Sequence, residues 1–198
     1  MMLSDFALRS PFLMLLDFDI EKTVAAVTFL IQREGGEVDL FLSLKMLYLA
    51  DKEALINWGK TITGDSFYSL PKGPILSEVY NLFKGTGRRE NQEKWDSHFT
   101  ELVRNTVRPL REGDVGLLSE REAEVLESAR KRINEIAPWA VAKWLHDTCP
   151  EWTDPHGGSI PIDPSTILRN AGKSEEEIKA MEESTEAFRF AKYLLGSR

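Results

Sequence analysis

Apolar residues recur at helical spacing over most of the chain. Between Glu21 and Arg33 they fall at Val24, Val27 and Ile31, one face of a helix that the glycines of "EGGE" close. A second stripe runs through Leu40, Leu44, Leu47, Asp51, Leu55 and Trp58, in steps of three and four, and predicts a helix over residues 40–58. Phe41, Tyr48 and Ile56 widen its apolar surface, so this helix is expected at the centre, and Gly59 stops it. Residues 1–20 show no clean period and read as an arm.

Between Ile62 and Pro74 the period breaks at "ITGDSFYSLPKGP". Gly64 and Asp65 suit a turn, residues 71–74 turn the chain again, and Pro74 suits the first turn of a helix, where its missing N–H costs nothing. The stretch therefore reads as a corner between two helices. Phe67, Tyr68 and Leu70 are expected against helix 40–58. "PILSEVYNLFKG" places Ile75, Val79 and Leu82 on one side of the next helix, with Gly85 as its stop. Residues 85–97 are polar and read as a surface loop with some helical content. "HFTELVRNTVRPL" is ambiguous: its β-branched and aromatic residues allow short strands, and Arg-Asn-Thr allows a bend.

The second half carries clearer punctuation. Ser119 and Glu122 form a capping box that opens a helix to about Glu135. A shorter helix starts near Pro138 and ends before Pro150. Asp163-Pro164 pairs an N-cap with a proline at the first position of a short helix that stops at Gly172. Ser174 and Glu177 form a second capping box, and the last helix turns Ile178, Met181, Thr185, Phe188 and Ala191 inward. The expected architecture is mainly α (α+β): an arm over 1–20, a compact helical domain over 21–155 with a small antiparallel β element, and C-terminal helices over 156–198 on the same domain.

Composition narrows the function classes. The chain of 198 residues carries a formal net charge of −7, which speaks against the basic face of a nucleic-acid binder acting on its own. Its one cysteine, Cys149, fits a reducing compartment and a cytoplasmic location. The apolar run "PFLMLL" is too short for a signal segment and is followed by Asp17 and Asp19, and Lys45 and Asp51 interrupt the most apolar stretch, so no membrane span is expected.

The candidate chemistry is sparse. Asp51 sits inside an apolar stripe, where a carboxylate must be paired or heavily hydrogen-bonded. One reading makes Asp51, with Asp65, the centre of an enzyme of unknown class. The other makes Asp51 an acceptor for backbone donors of the following loop, and no second acid or nucleophile stands at a helix-facing distance to favour the first. Lys45, six residues before Asp51, falls on a different side of the helix. His98, His146, Cys149 and His156 lack the tight, thiolate-rich spacing of a structural zinc site, so no metal and no cofactor is expected. "KGTGRR", residues 84–89, lacks the Walker spacing and reads as a solvated basic loop offering Arg88 and Arg89 to an acidic partner. The final helix offers glutamates, among them Glu182 and Glu186, to a basic one.

Three segments taken together carry a resemblance. "KMLYLAD", "GKTITGD" and "LPKGPILSEVY" follow in that order between Lys45 and Tyr80, and "LSEREAEVL" and "LHDTCPEW" follow later. This arrangement resembles the Panacea, or SocA-like, antitoxin domain over roughly residues 22–155. The family positions carried over are Lys45, Tyr48, Asp51, Thr63, Gly64, Asp65, Pro71, Gly73, Pro74, Tyr80, His146 and Trp152. The family's small polar residue before the histidine is missing here, where His146 follows Leu145 directly. The resemblance implies a non-catalytic module of toxin–antitoxin pairs carried on phages, prophages and plasmids. Such a module contacts a cognate protein toxin, with sequestration or delivery to an ATP-dependent protease as the two outcomes, and DNA-linked autoregulation as a further role. The shared motif is then expected to hold the scaffold. Partner contacts are expected from the arm, through Phe12, Leu13 and Leu15, from Arg88 and Arg89, and from Glu182 and Glu186.

Overall fold

The computed structural model describes residues 16–196, so the expectations for Phe12, Leu13 and Leu15 lie outside the described residues. In chain order the helices are α1 (Ile20–Arg33), α2 (Leu40–Trp58), α3 (Ser77–Phe83), α4 (Arg89–Asp96), α5 (Glu120–Asn134), α6 (Val141–Thr148), α7 (Pro164–Asn170) and α8 (Glu175–Gly196). The strands are β1 (Val38–Asp39), β2 (Phe67–Leu70), β3 (Gly73–Leu76), β4 (Thr106–Val107) and β5 (Ile160–Pro161). The fold is mainly helical with small antiparallel β elements.

Helix α2 is the axis of the molecule. It is apolar nearly all round, as a helix wrapped by neighbours must be. It packs against α5, α1, α3, α7 and the β2–β3 hairpin. Asp39 caps its N-terminus by accepting the Leu42 N–H at 3.0 Å. Its core partners include Leu30, Val79, Leu82, Leu126 and Ile167, all essentially inaccessible to solvent. The capping box of α5 is present with both of its reciprocal bonds, from Ser119 and Glu122. Ser174 and Glu177 exchange the same pair of bonds at the start of α8.

Three expectations are corrected. The stretch 67–76 is an antiparallel hairpin, with Phe67 opposite Leu76 and Leu70 opposite Gly73, where a bare corner was expected. Pro74 accordingly lies in β3, and α3 begins at Ser77. β3 is an edge strand of the sheet β3-β2-β5, a place where a proline removes no ladder bond. Phe67 is buried, while Tyr68 and Leu70 are half-buried, in the alternation of a strand. Residues 89–96 form helix α4, whose Trp95 is buried against Phe83 and Phe99. In α8, Ile178 is buried and Met181 and Thr185 are half-buried, but Ala191 is exposed; the side chain of Phe188 lies outside the described set. The strand signal in residues 98–110 resolves into β4, paired with β1, and a bend in which Arg104 and Asn105 take positive φ of 53° and 63°.

Candidate functional site: a buried polar lattice around α2

The motif residues of α2 point inward and take hold of the chain segments that follow. Asp51, 1% exposed, accepts the Ile62 N–H at 2.8 Å, the Thr63 N–H at 3.1 Å and the Thr63 hydroxyl. The carboxylate thus locks the loop after α2 to the helix. Asp65, also buried, accepts the N–H of Ser66 at 2.6 Å, Glu78 at 3.0 Å and Val79 at 2.8 Å. The two latter donors belong to the first turn of α3, whose own cap position, Leu76, has no side chain to offer. Asp65 is therefore the N-cap of α3 supplied from across the hairpin, and its charge is favourable at that helix end.

Gly64 stands between these two acids with φ +68°, and a Cβ there would collide with the carbonyl of Asp17. The chain entering α1 passes this close because the Asp19 N–H donates to the Thr63 carbonyl at 2.8 Å. Only glycine satisfies both the backbone conformation and the approach.

Lys45 does the equivalent work for the hairpin. Its Nζ, with the residue 1% exposed, donates to the carbonyls of Gly73 and Pro74, each at 2.9 Å. Gly73 takes φ +96° after the Pro71-Lys72 loop, bringing its carbonyl to the amine. Burial pushes the Lys45 ammonium down to about 7. Burial likewise raises Asp51 to about 6 and Asp65 to about 7 against the pull of their N–H donors.

A second knot ties α2 to the segment after α6. The Tyr48 hydroxyl donates to Glu151 Oε1, which also pairs with Lys52 Nζ at 2.6 Å. Burial, with the Glu151 carboxylate next to it, raises the Tyr48 phenol well above its usual range. Trp152 donates its indole N–H to the Leu70 carbonyl at 2.9 Å and stacks on His146, with ring centroids 3.7 Å apart. Cys149 is buried beside this knot, and burial raises its thiol.

Lys45, Asp51, Thr63, Asp65, Gly73 and Pro74 thus meet around one loop and hairpin, with Trp152, stacked on His146, at the Leu70 end of the hairpin and Tyr48 against Phe67 at its start. Tyr80 is half-buried on α3, and Pro71 is exposed at the hairpin tip. Arg88 and Arg89 are exposed at the start of α4, where Arg89 pairs with Glu93 at 2.8 Å. Arg88 lines a polar cleft with Asp17, Glu78 and Glu90. Glu182 is half-buried and Glu186 exposed on α8. His98 bonds the Lys94 carbonyl and His156 is exposed near Asp154, so the histidines occupy separate settings. Two members of the lattice, Lys52 and Glu151, escaped sequence reasoning. The four-residue spacing of Tyr48 and Lys52 puts both on one face of α2 and was the available signal.

The lattice is a set of buried ionisable groups whose described bonds go mainly to backbone N–H and C=O of loops, the pattern of a scaffold that fixes irregular chain. The family model described as "Antitoxin SocA-like, Panacea domain" matches residues 44–153, more than half of the chain, and the protein belongs to that family. No curated protein and no solved structure gives a significant match. Among the described residues no helix is long and apolar enough to cross a membrane.

Proposed function

We propose that the protein is an antitoxin that neutralises a cognate protein toxin by direct contact, without catalysis of its own. The observation that supports this is the use made of the motif within the matched region. Lys45, Asp51 and Asp65 are turned inward and bonded to backbone, so the motif builds a frame and leaves the exterior to the partner. Under this reading the contacts come from groups outside the lattice: the arm with Phe12, Leu13 and Leu15, the arginines at 88 and 89, and the glutamates of α8 at 182 and 186.

The test is expression of the reading frame adjacent to the gene, alone and together with this protein. The expected result is growth arrest by the neighbour alone and relief on co-expression, with a stable complex on gel filtration. Relief without any complex, or no toxicity from the neighbour, would overturn the reading. Following the neighbour's half-life in the same cells separates the two outcomes of contact. An unchanged half-life means sequestration, and a shortened one that depends on an ATP-dependent protease means delivery.

A further inference from the structure

The two halves of α8 have different surroundings. Its first turns are docked: Ile178 is 2% exposed, Met181 packs on the Gly59 end of α2, and Arg169 of α7 holds Glu175 at 2.6 Å. Beyond Thr185 the helix runs on to Gly196, and there Phe190 and Leu194 are 63% and 57% exposed. Ala187 and Ala191 are exposed beside them, and exposed Glu183 continues the stripe upstream. At 100° per residue these positions share an arc of about 100°, on the side of α8 opposite Ile178, Met181 and Thr185. The stripe therefore faces away from α2 and α7.

We propose that this stripe is a self-association face, on which α8 pairs antiparallel with α8 of a second copy about a two-fold axis at Phe190. Two large apolar side chains more than half exposed on one helix face mark a surface that another chain covers. The sizes along the stripe match the stripe itself when it is reversed. The two Phe190 side chains meet at the axis, and on either side Leu194 of one copy lies over Ala187 of the other, large against small. The charges run in the same order. Along α8 the acids come first, at Glu182, Glu183 and Glu186, and the bases last, at Arg189 and Lys192; Arg198 then follows Leu194 at the stripe's spacing of four. Antiparallel pairing lays the acidic stretch of each copy along the basic stretch of the other and brings Glu183 level with Arg198. Parallel pairing lays like charge on like. Residues 183–194 hold two acids and two bases, so the segment asks for no net charge from its occupant, and its own reversed sequence supplies the matching order. The contact from 183 to 194 is about 17 Å of helix on each chain, short for a permanent dimer, so association is reversible and depends on concentration.

Sedimentation equilibrium of the full, free chain from micromolar to millimolar concentration tests this. The wild-type chain is expected to pass from monomer to dimer across that range. Phe190→Glu with Leu194→Glu is expected to weaken the dimer about 30-fold or more, because each copy loses its anchors and like charges meet at the axis. Glu183→Arg is expected to weaken it about 5-fold at low salt, and adding Arg198→Glu is expected to restore it, because the exchange keeps opposite charges level. Equal melting temperatures in dilute samples, where the monomer prevails, show that the variants stay folded. A dimer that survives Phe190→Glu with Leu194→Glu lies on another face and overturns the proposal. So does a Glu183→Arg variant that dimerises as the wild type does, or that Arg198→Glu fails to restore, since the antiparallel register requires both effects. A wild-type chain that stays monomeric to millimolar concentration overturns it outright. Faster amide exchange over residues 187–194 on deletion of residues 1–15 would then assign the stripe to the arm. Each readout is of the free chain, so none of these outcomes bears on the antitoxin reading.

Discussion

The interior around α2 and the outer half of α8 invert the usual distribution of side chains in opposite ways. One buries a lysine, two aspartates, a tyrosine and a glutamate; the other exposes a phenylalanine and a leucine. The buried set is bonded largely to backbone. Asp51 and Asp65 hold N–H groups of the loop and of α3, and Lys45 holds carbonyls of the hairpin. Buried charge is costly, and it persists here because each group satisfies loop atoms that no regular ladder reaches. Inside, the unusual residues fix shape; outside, Phe190 and Leu194 stand more than half exposed to solvent. Substitutions should therefore separate cleanly, with large losses of stability from the first region and small ones from the second.

Asp65→Ala should have the largest effect. It strips acceptors from three buried or half-buried N–H groups, two of them at the start of α3, and a loss of about 3 kcal/mol or more is expected in urea denaturation. A loss under about 0.5 kcal/mol would mean that the α3 terminus is satisfied otherwise. Lys45→Met comes next, at about 2 kcal/mol, since it keeps the apolar stem and removes both bonds to the hairpin carbonyls. Amide exchange in residues 67–76 should rise in this variant more than exchange in α5.

The same three groups set a pH dependence. Asp51 and Asp65 are raised in the folded state to about 6 and about 7 from 3.8, so the folded protein holds more protons than the unfolded chain in between. Their contribution to stability is complete below pH 4 and lost as pH rises through 6 and 7. Lys45 is lowered to about 7 from 10.5, so the folded protein holds fewer protons above pH 7, and its contribution grows as pH rises towards 10. From these groups stability passes through a minimum near neutrality, with limbs on the order of 1 kcal/mol per pH unit for each proton. Urea midpoints across pH 5–9 check the shape. Lys45→Met should flatten the alkaline limb and leave the acid one; loss of both limbs together would break the assignment.

Much of this was legible in the sequence. Helical spacing located α1 and α2, because each buries one or more continuous faces. The Ser-x-x-Glu pairs located the starts of α5 and α8. Asp51 announced itself as the polar residue on an apolar stripe, and its role as acceptor for the loop's N–H donors follows from that placement. The hairpin was missed because its loop is Pro71-Lys72, without the Asn-Gly or Asp-Gly pair that marks two-residue turns. Pro74 also pointed to a helix start, yet an edge strand tolerates it as well. Asp65 could not be read as the cap of α3, since the helix it caps begins twelve residues later and no local spacing connects them. Glu151 was hidden for the same reason: its partners lie on α2, a hundred residues upstream.

The smallest expected effect belongs to α8. Phe190→Ala should change stability by less than about 0.5 kcal/mol, because a side chain already 63% exposed loses little burial on truncation. Met181→Ala, in the docked part of the same helix, should cost about 1 kcal/mol, because Met181 packs against Gly59 at the end of α2. The pair sharpens the boundary between frame and contact surface within a single helix. If Phe190→Ala destabilises as much as Met181→Ala, the outer half of α8 is covered by its own chain. If only Met181→Ala does, Met181 belongs to the frame with the lattice around α2, and the surface beyond Thr185 contributes little to the stability of the fold.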